Sequence, residues 1–180
     1  MDFFISPKPN HISQYDSAKK LGFSDADYDF WSSRLCGLVC LAMVLDAYEL
    51  LEISVANLTK QAVEAGGVNE NYDWRYTPLV KLARGLGLHG QTHRELNIED
   101  KITKLKKGRF VVASVNPKIL RGELSEKRGG HLVLVVGAKF EGGDLVGVYI
   151  HDPAEISAPS FIPAELFNKA FAGRGFSIWR

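Results

Sequence analysis

The sequence predicts an α+β domain, with helices in its first half and short antiparallel strands in its second. Three stretches carry that expectation. Residues 31–50 (WSSRLCGLVCLAMVLDAYEL) pass from a polar opening into a run that is apolar on almost every side, broken only by Asp46 and Glu49. A helix with so little polar surface belongs in the middle of a domain. Phe110–Val115, His131–Val136 and Leu145–Ile150 are short, β-branched and continuously apolar, as strands covered on both faces are. Glu141-Gly142-Gly143-Asp144 joins the last two as a hairpin.

Taken in order, residues 1–30 read as an extended N-terminal arm wrapped on the body, with one short helix at Ser17–Leu21. Residues 31–180 read as a single domain, a length that buries about 70% of the unfolded surface. Trp31 to Arg34 is the strand-to-helix approach to the central helix. Ser54 caps a second helix that runs to Ala62–Ala65 and ends at Gly66-Gly67. Gly67 to Tyr76 (GVNENYDWRY) is a polar, aromatic loop suited to the rim of a cleft. Thr77 and Pro78 stand as N-cap and first residue of a helix over Leu79–Leu86. Leu88–Glu95 is a strand candidate. Asn97 with Asp100 caps a helix over Ile98–Lys107, and Lys104 to Arg109 form its solvated end. Pro163–Ala172 closes the helices and Phe176–Trp179 the strands.

Composition narrows the partners. The formal net charge is +1 with no large basic block, which argues against nucleic acid as a main partner. No signal-peptide pattern opens the chain, and no apolar run is long enough to predict a transmembrane span. A reducing, cytoplasmic-type compartment is the default expectation. The two cysteines, Cys36 and Cys40, lie one helical turn apart and offer no disulfide framework. His89 and His93 share one strand face, but no carboxylate or cysteine beside them completes a metal site. Neither metal nor cofactor is expected. Oligomeric state is left open.

Chemistry concentrates at Cys36. A cysteine in the first turn of a buried helix, followed by Gly37, meets unpaired backbone N–H groups and the positive end of the helix dipole. Both favour negative charge on sulfur, and the thiolate is the nucleophile. Such a nucleophile needs a base and a group that orients the base. His131 opens an apolar strand directly after Gly129-Gly130. Residue numbers across the hairpin sum to about 285, so position 131 faces about 154, and a bulge or two shifts this by a residue. Asp152 therefore falls near His131. Cys40 is read as a small core hydrophobe, and His151 as pointing to the opposite face from Asp152.

CGLVCLAMVL at Cys36–Leu45 resembles the nucleophile helix of the C39 and C39-like family of papain-fold cysteine peptidases. GGHLVLVVGAKFEGGDLVGVYIHDPA at Gly129–Ala154 is similar to that family's histidine-bearing hairpin, and FNKAFAGRGFSIW to its closing helix and strand. The resemblance spans about Trp31 to Trp179. It implies a papain-like fold with the nucleophile helix packed on an antiparallel sheet, and a peptide or protein substrate. It also implies Cys36 as nucleophile, His131 as general base and acid, and Asp152 as orienter, hydrolysing a peptide or isopeptide bond through a thioester acyl-enzyme. Acyl transfer by the same triad and a non-catalytic peptide-binding relative are the alternatives. The family's glutamine before the cysteine is missing: residues 29–35 read DFWSSRL. Trp31, Ser32, Ser33 and Arg34 are the candidates to replace it as oxyanion donor. Trp74 and Tyr76 are candidates to line a substrate groove. The charged segment Lys118–Arg128 is read as a flap or long loop.

Overall fold

A computed structural model describes residues 1–124 and 128–180. The arm is not merely extended. It opens with strand β1 (Asp2–Phe4), forms α1 (Ala18–Leu21) where expected, and adds α2 (Asp25–Trp31). Ser17 and Ser24 cap these two helices by accepting from the Lys20 and Asp27 N–H groups. The capping serines with acidic Asp25 and Asp27 behind Ser24 were the local signal for α2. Trp31–Arg34 is correspondingly a helix end and a 3₁₀ turn (Ser32–Arg34), not a strand.

Helix α3 (Cys36–Ala47) follows, and every residue from Gly37 to Leu45 in it is buried. Helix α4 (Val55–Glu64) starts from Ser54 as predicted. Helix α5 (Tyr76–Gly85) begins before Thr77, with Arg75 at its cap, so Pro78 lies inside the first turn. The N–H it lacks there has no intrahelical acceptor in any case. Strand β2 (His89–His93) and helix α6 (Ile98–Lys106) come next, the latter with the Asn97–Asp100 capping box in place. Strands β3 (Phe110–Val115), β4 (His131–Glu141) and β5 (Asp144–His151) match the three apolar runs, and β4 runs longer than its apolar core. An edge strand β6 (Ser160–Pro163) precedes α7 (Ala164–Ala170), so Pro163 ends a strand instead of opening a helix. Proline is at home on such an edge. Strand β7 (Phe171–Trp179) closes the chain.

All strand pairs are antiparallel, in the order β2-β7-β3-β4-β5-β6. Strand β1 pairs with residues 137–139 of β4, taking over the edge that β3 leaves after Val135. Helices α3 and α6 both pack on β3 and β4, which explains why all six residues of β3 and the first eight of β4 are buried. The arm shares this core through Ile5 and Leu21. Among the described residues no single helix is long and apolar enough to cross a membrane.

Candidate active site

Two irregularities set the geometry of the hairpin. From Glu141↔Asp144 the paired numbers sum to 285, a bulge on β5 raises the sum to 286 at Lys139↔Gly147, and a second bulge on β4 restores 285 at Leu134↔His151. The two cancel. Asp152 therefore lies on the sheet face opposite His151 and Leu134, which is the face of His131. With one bulge alone the carboxylate would point away.

The pair that results is close: His131 Nε2 lies 2.6 Å from Asp152 Oδ1, with both side chains buried. Cys36, half-buried at the first residue of α3, lines the same cleft as His131 and acts on its imidazole. Burial by itself disfavours the imidazolium, but the hydrogen bonds and charges of Asp152 and Cys36 outweigh it and raise the His131 pKa to about 10. Cys40, fully buried one turn on, directs its Sγ at the Leu132 carbonyl; burial, with Cys36 and Asp152 nearby, pushes its thiol pKa well up. It is the inert one of the two.

Asp152 is itself fixed by its neighbours. Its Oδ1 also accepts from the Ala154 N–H at 2.8 Å, and its carbonyl meets His11 Nε2 at 2.9 Å. The Gln14 N–H and the Ser13 hydroxyl both donate to the Pro153 carbonyl. The arm thus clamps the turn that carries the carboxylate. Sequence reading assigned no role to His11, Ser13 or Gln14, because nothing local links them to a turn some 140 residues away. His151 lies on the other face, edge-on to His11, and its Nδ1 is one of two buried side-chain atoms without a hydrogen-bond partner among the described residues, the other being Gln14 Oε1.

Cys36 and His131 open into a cleft of about 1070 Å³. Trp74 and Tyr76 line it, as do Ser33 and Arg34. Trp31 and Ser32 do not; the Trp31 ring stacks on Trp74 at 6.1 Å. The Trp74 indole is committed to the Arg34 carbonyl, and Arg34 Nη1 to the Phe30 carbonyl and the Ser33 hydroxyl. The opposite wall, missed in the sequence, comes from the sheet: Thr92, His93, Arg94, Ser114, Ala172 and Arg174. Its signal was faint, since these positions become one surface only when β2, β3 and β7 lie side by side. His93 bonds the Ser177 hydroxyl at 2.8 Å and His89 stacks on Trp179, and no cluster suited to a metal occurs among the described residues. The segment Lys118–Arg128 holds a 3₁₀ turn at Ile119–Arg121, and its stretch 125–127 lies outside the described residues.

Comparison with known proteins agrees with this architecture. The family model described as the Peptidase_C39 like family matches residues 10–176, reaching into the arm that carries His11, Ser13 and Gln14. No curated protein matches the chain. Among solved structures it is similar to a putative C39-like peptidase from Bacillus anthracis (21% identity, 98% of this chain and 97% of that one, TM-score 0.63). It is also similar to a double glycine motif protease from an AMS/PCAT transporter in complex with its leader peptide (21%, 98% and 98%, 0.59). The peptidase domain of Streptococcus ComA, a bifunctional ABC transporter of a quorum-sensing pathway, shares the fold too (18%, 82% and 92%, 0.60). A half-buried cysteine at a helix mouth, sharing a cleft with an imidazole that a buried carboxylate holds, thus sits in a chain that belongs to the Peptidase_C39 like family of cysteine peptidases.

Proposed function

We propose that this peptidase hydrolyses a peptide or isopeptide bond with Cys36 as nucleophile, His131 as general base and acid, and Asp152 as the group that orients His131. The observation that carries the reading is the His131 imidazole, held at 2.6 Å by Asp152 and opening with the Cys36 thiol into one cleft. His131 takes the thiol proton, and sulfur adds to the carbonyl carbon of the scissile amide. The oxyanion that forms faces the Cys36 N–H at the start of α3. On collapse the C–N bond breaks, His131 returns its proton to the leaving amine, and a thioester remains. Water, deprotonated by His131, then cleaves the thioester, releasing a carboxylic acid and restoring the thiol.

The second oxyanion donor comes from Ser33 or Arg34, the two cleft-lining members of the segment where the family's glutamine is missing. A peptide as occupant is supported by the related double glycine motif protease, solved with its leader peptide. Both cysteines are free thiols, and the mechanism needs Cys36 reduced, so the proposal places the enzyme in a reducing setting. The test compares wild type with Cys36→Ala, using a thiol-directed acylating probe. Labelling confined to the wild type is the expected result, because Cys40 is fully buried. Equal labelling of the two proteins removes the proposal.

A further inference from the structure

The cleft is far more basic than the chain around it. Among its described lining residues stand four arginines, Arg34, Arg75, Arg94 and Arg174, against a single carboxylate, Asp73. The whole chain carries a formal charge of only +1. All four arginines are exposed, and among the described residues none forms an ion pair. Asp73 is already engaged by the Asn69 side chain.

Arg94 and Arg174 are the informative two. Strands β2 and β7 pair His93 with Gly175, and beyond them the Leu96 N–H donates to the Gly173 carbonyl. Arg94 adjoins His93 and Arg174 adjoins Gly175, one on each chain segment, and both line the cleft. Like charges on neighbouring segments of a sheet repel, and a bound anion relieves them. The head of Arg174 is turned inward: its Nη2 lies 3.2 Å from where a Cβ on Gly129 would stand, two residues before His131. Two guanidinium forks on the wall that carries the imidazole match the planar geometry of a carboxylate.

We propose that Arg94 and Arg174 bind a carboxylate of the substrate, so that the peptidase selects acidic peptides. The inference rests on the peptidase reading for the identity of the occupant, but its test does not need turnover. Two pooled decapeptide libraries, identical except that one carries Glu where the other carries Gln, are passed over the immobilised full chain bearing Cys36→Ala. The Glu pool is retained about fivefold more strongly, in line with an exposed charge-assisted pair, and the preference shrinks with added salt. Adding R94Q and R174Q brings the ratio close to one, whereas R94K and R174K keep a salt-sensitive preference.

Equal retention of both pools overturns the proposal, as does a ratio that R94Q and R174Q leave unchanged. A third arm compares the Gln pool with free and amidated C-termini; retention that follows the free terminus assigns the bound group to the α-carboxylate instead of a side chain. Cleavage of the pools by wild type is scored separately. Retention of the acidic pool without any cleavage leaves the carboxylate site standing and defeats the peptidase reading.

Discussion

At the scale of single residues the decisive feature is a histidine whose charge is supported from both sides. Asp152 and Cys36 together overcome the burial of His131 and hold its pKa at about 10. The imidazolium formed when His131 takes the Cys36 proton is therefore stable at neutral pH, and in the proposed mechanism it protonates the leaving amine. We predict an alkaline limb of kcat/KM near pH 10. In Asp152→Asn that limb moves toward the ordinary imidazole value, and kcat falls by about 10²-fold or more. A pH–rate profile of both proteins checks this, and an unmoved limb refutes it. Of this constellation, the identities and order of Cys36, His131 and Asp152 were legible in the sequence as motifs. The contact between them was a matter of register, and the hairpin arithmetic reached Asp152 only by allowing for bulges.

At the scale of elements the packing of strands and the burial of one lysine make stronger demands than propensity. A Cβ on Gly175 would stand 2.0 Å from the Val112 carbonyl oxygen of the neighbouring strand, an atom that cannot step aside without moving β3. Gly175→Ala is expected to cost about 3 kcal/mol, read as a lower urea midpoint, and a neutral effect would contradict the close approach of β7 to β3.

Lys101 of α6 is fully buried, with Nζ 3.3 Å from the Phe171 ring centroid and 2.7 Å from the Asn97 carbonyl. Burial depresses its pKa from 10.5 to about 7, against the opposing pull of Asp100 and Glu99. Between these values the unfolded chain binds more protons than the folded one, so stability from this group rises with pH from about 7 to 10.5. Lys101→Met should raise the Tm at pH 7, with the gain shrinking toward pH 10.5; a lower Tm at pH 7 would exclude a net penalty. In the sequence Lys101 looked like one more cation on an amphipathic helix. Capping residues and apolar runs placed α4, α6, β3 and the hairpin, because those signals are local. Strands β1 and β6 were invisible, being short and dependent on partners for every ladder bond.

At the scale of the molecule the arm and the body are one structure. His11, Ser13 and Gln14 hold the Asp152–Pro153 turn from the far end of the chain. Removing residues 1–16 is expected to lower the Tm and to slow labelling of Cys36 by the acylating probe; unchanged labelling would show that the turn keeps Asp152 in place unaided.

Two other histidines set the acid limit. Burial lowers the His151 pKa to about 4, with His11 and Lys8 adding to it, and burial with Lys104 and Arg109 does the same for His93. Both are depressed below the unfolded value of 6.5, so their contribution to stability is complete above pH 6.5 and is lost as the pH falls through about 4. Urea midpoints measured at pH 7 and pH 4.5 should therefore fall steeply, and less steeply in His151→Asn.

The sequence by itself determined the class of this protein: a central apolar helix with a cysteine at its start, a glycine-led histidine strand, and a hairpin ending in Asp-Pro. Those features are local, written in periodicity, capping and turn chemistry that a few neighbouring residues specify. The tertiary structure alone decided the rest. The hairpin register, with two bulges that cancel, kept Asp152 on the face of His131, the arm locked that turn, and the pairing of β2 with β7 brought two arginines to one cleft. Each depends on backbone hydrogen bonds between segments tens of residues apart or more, and no short stretch of sequence carries the register of a partner it has yet to meet.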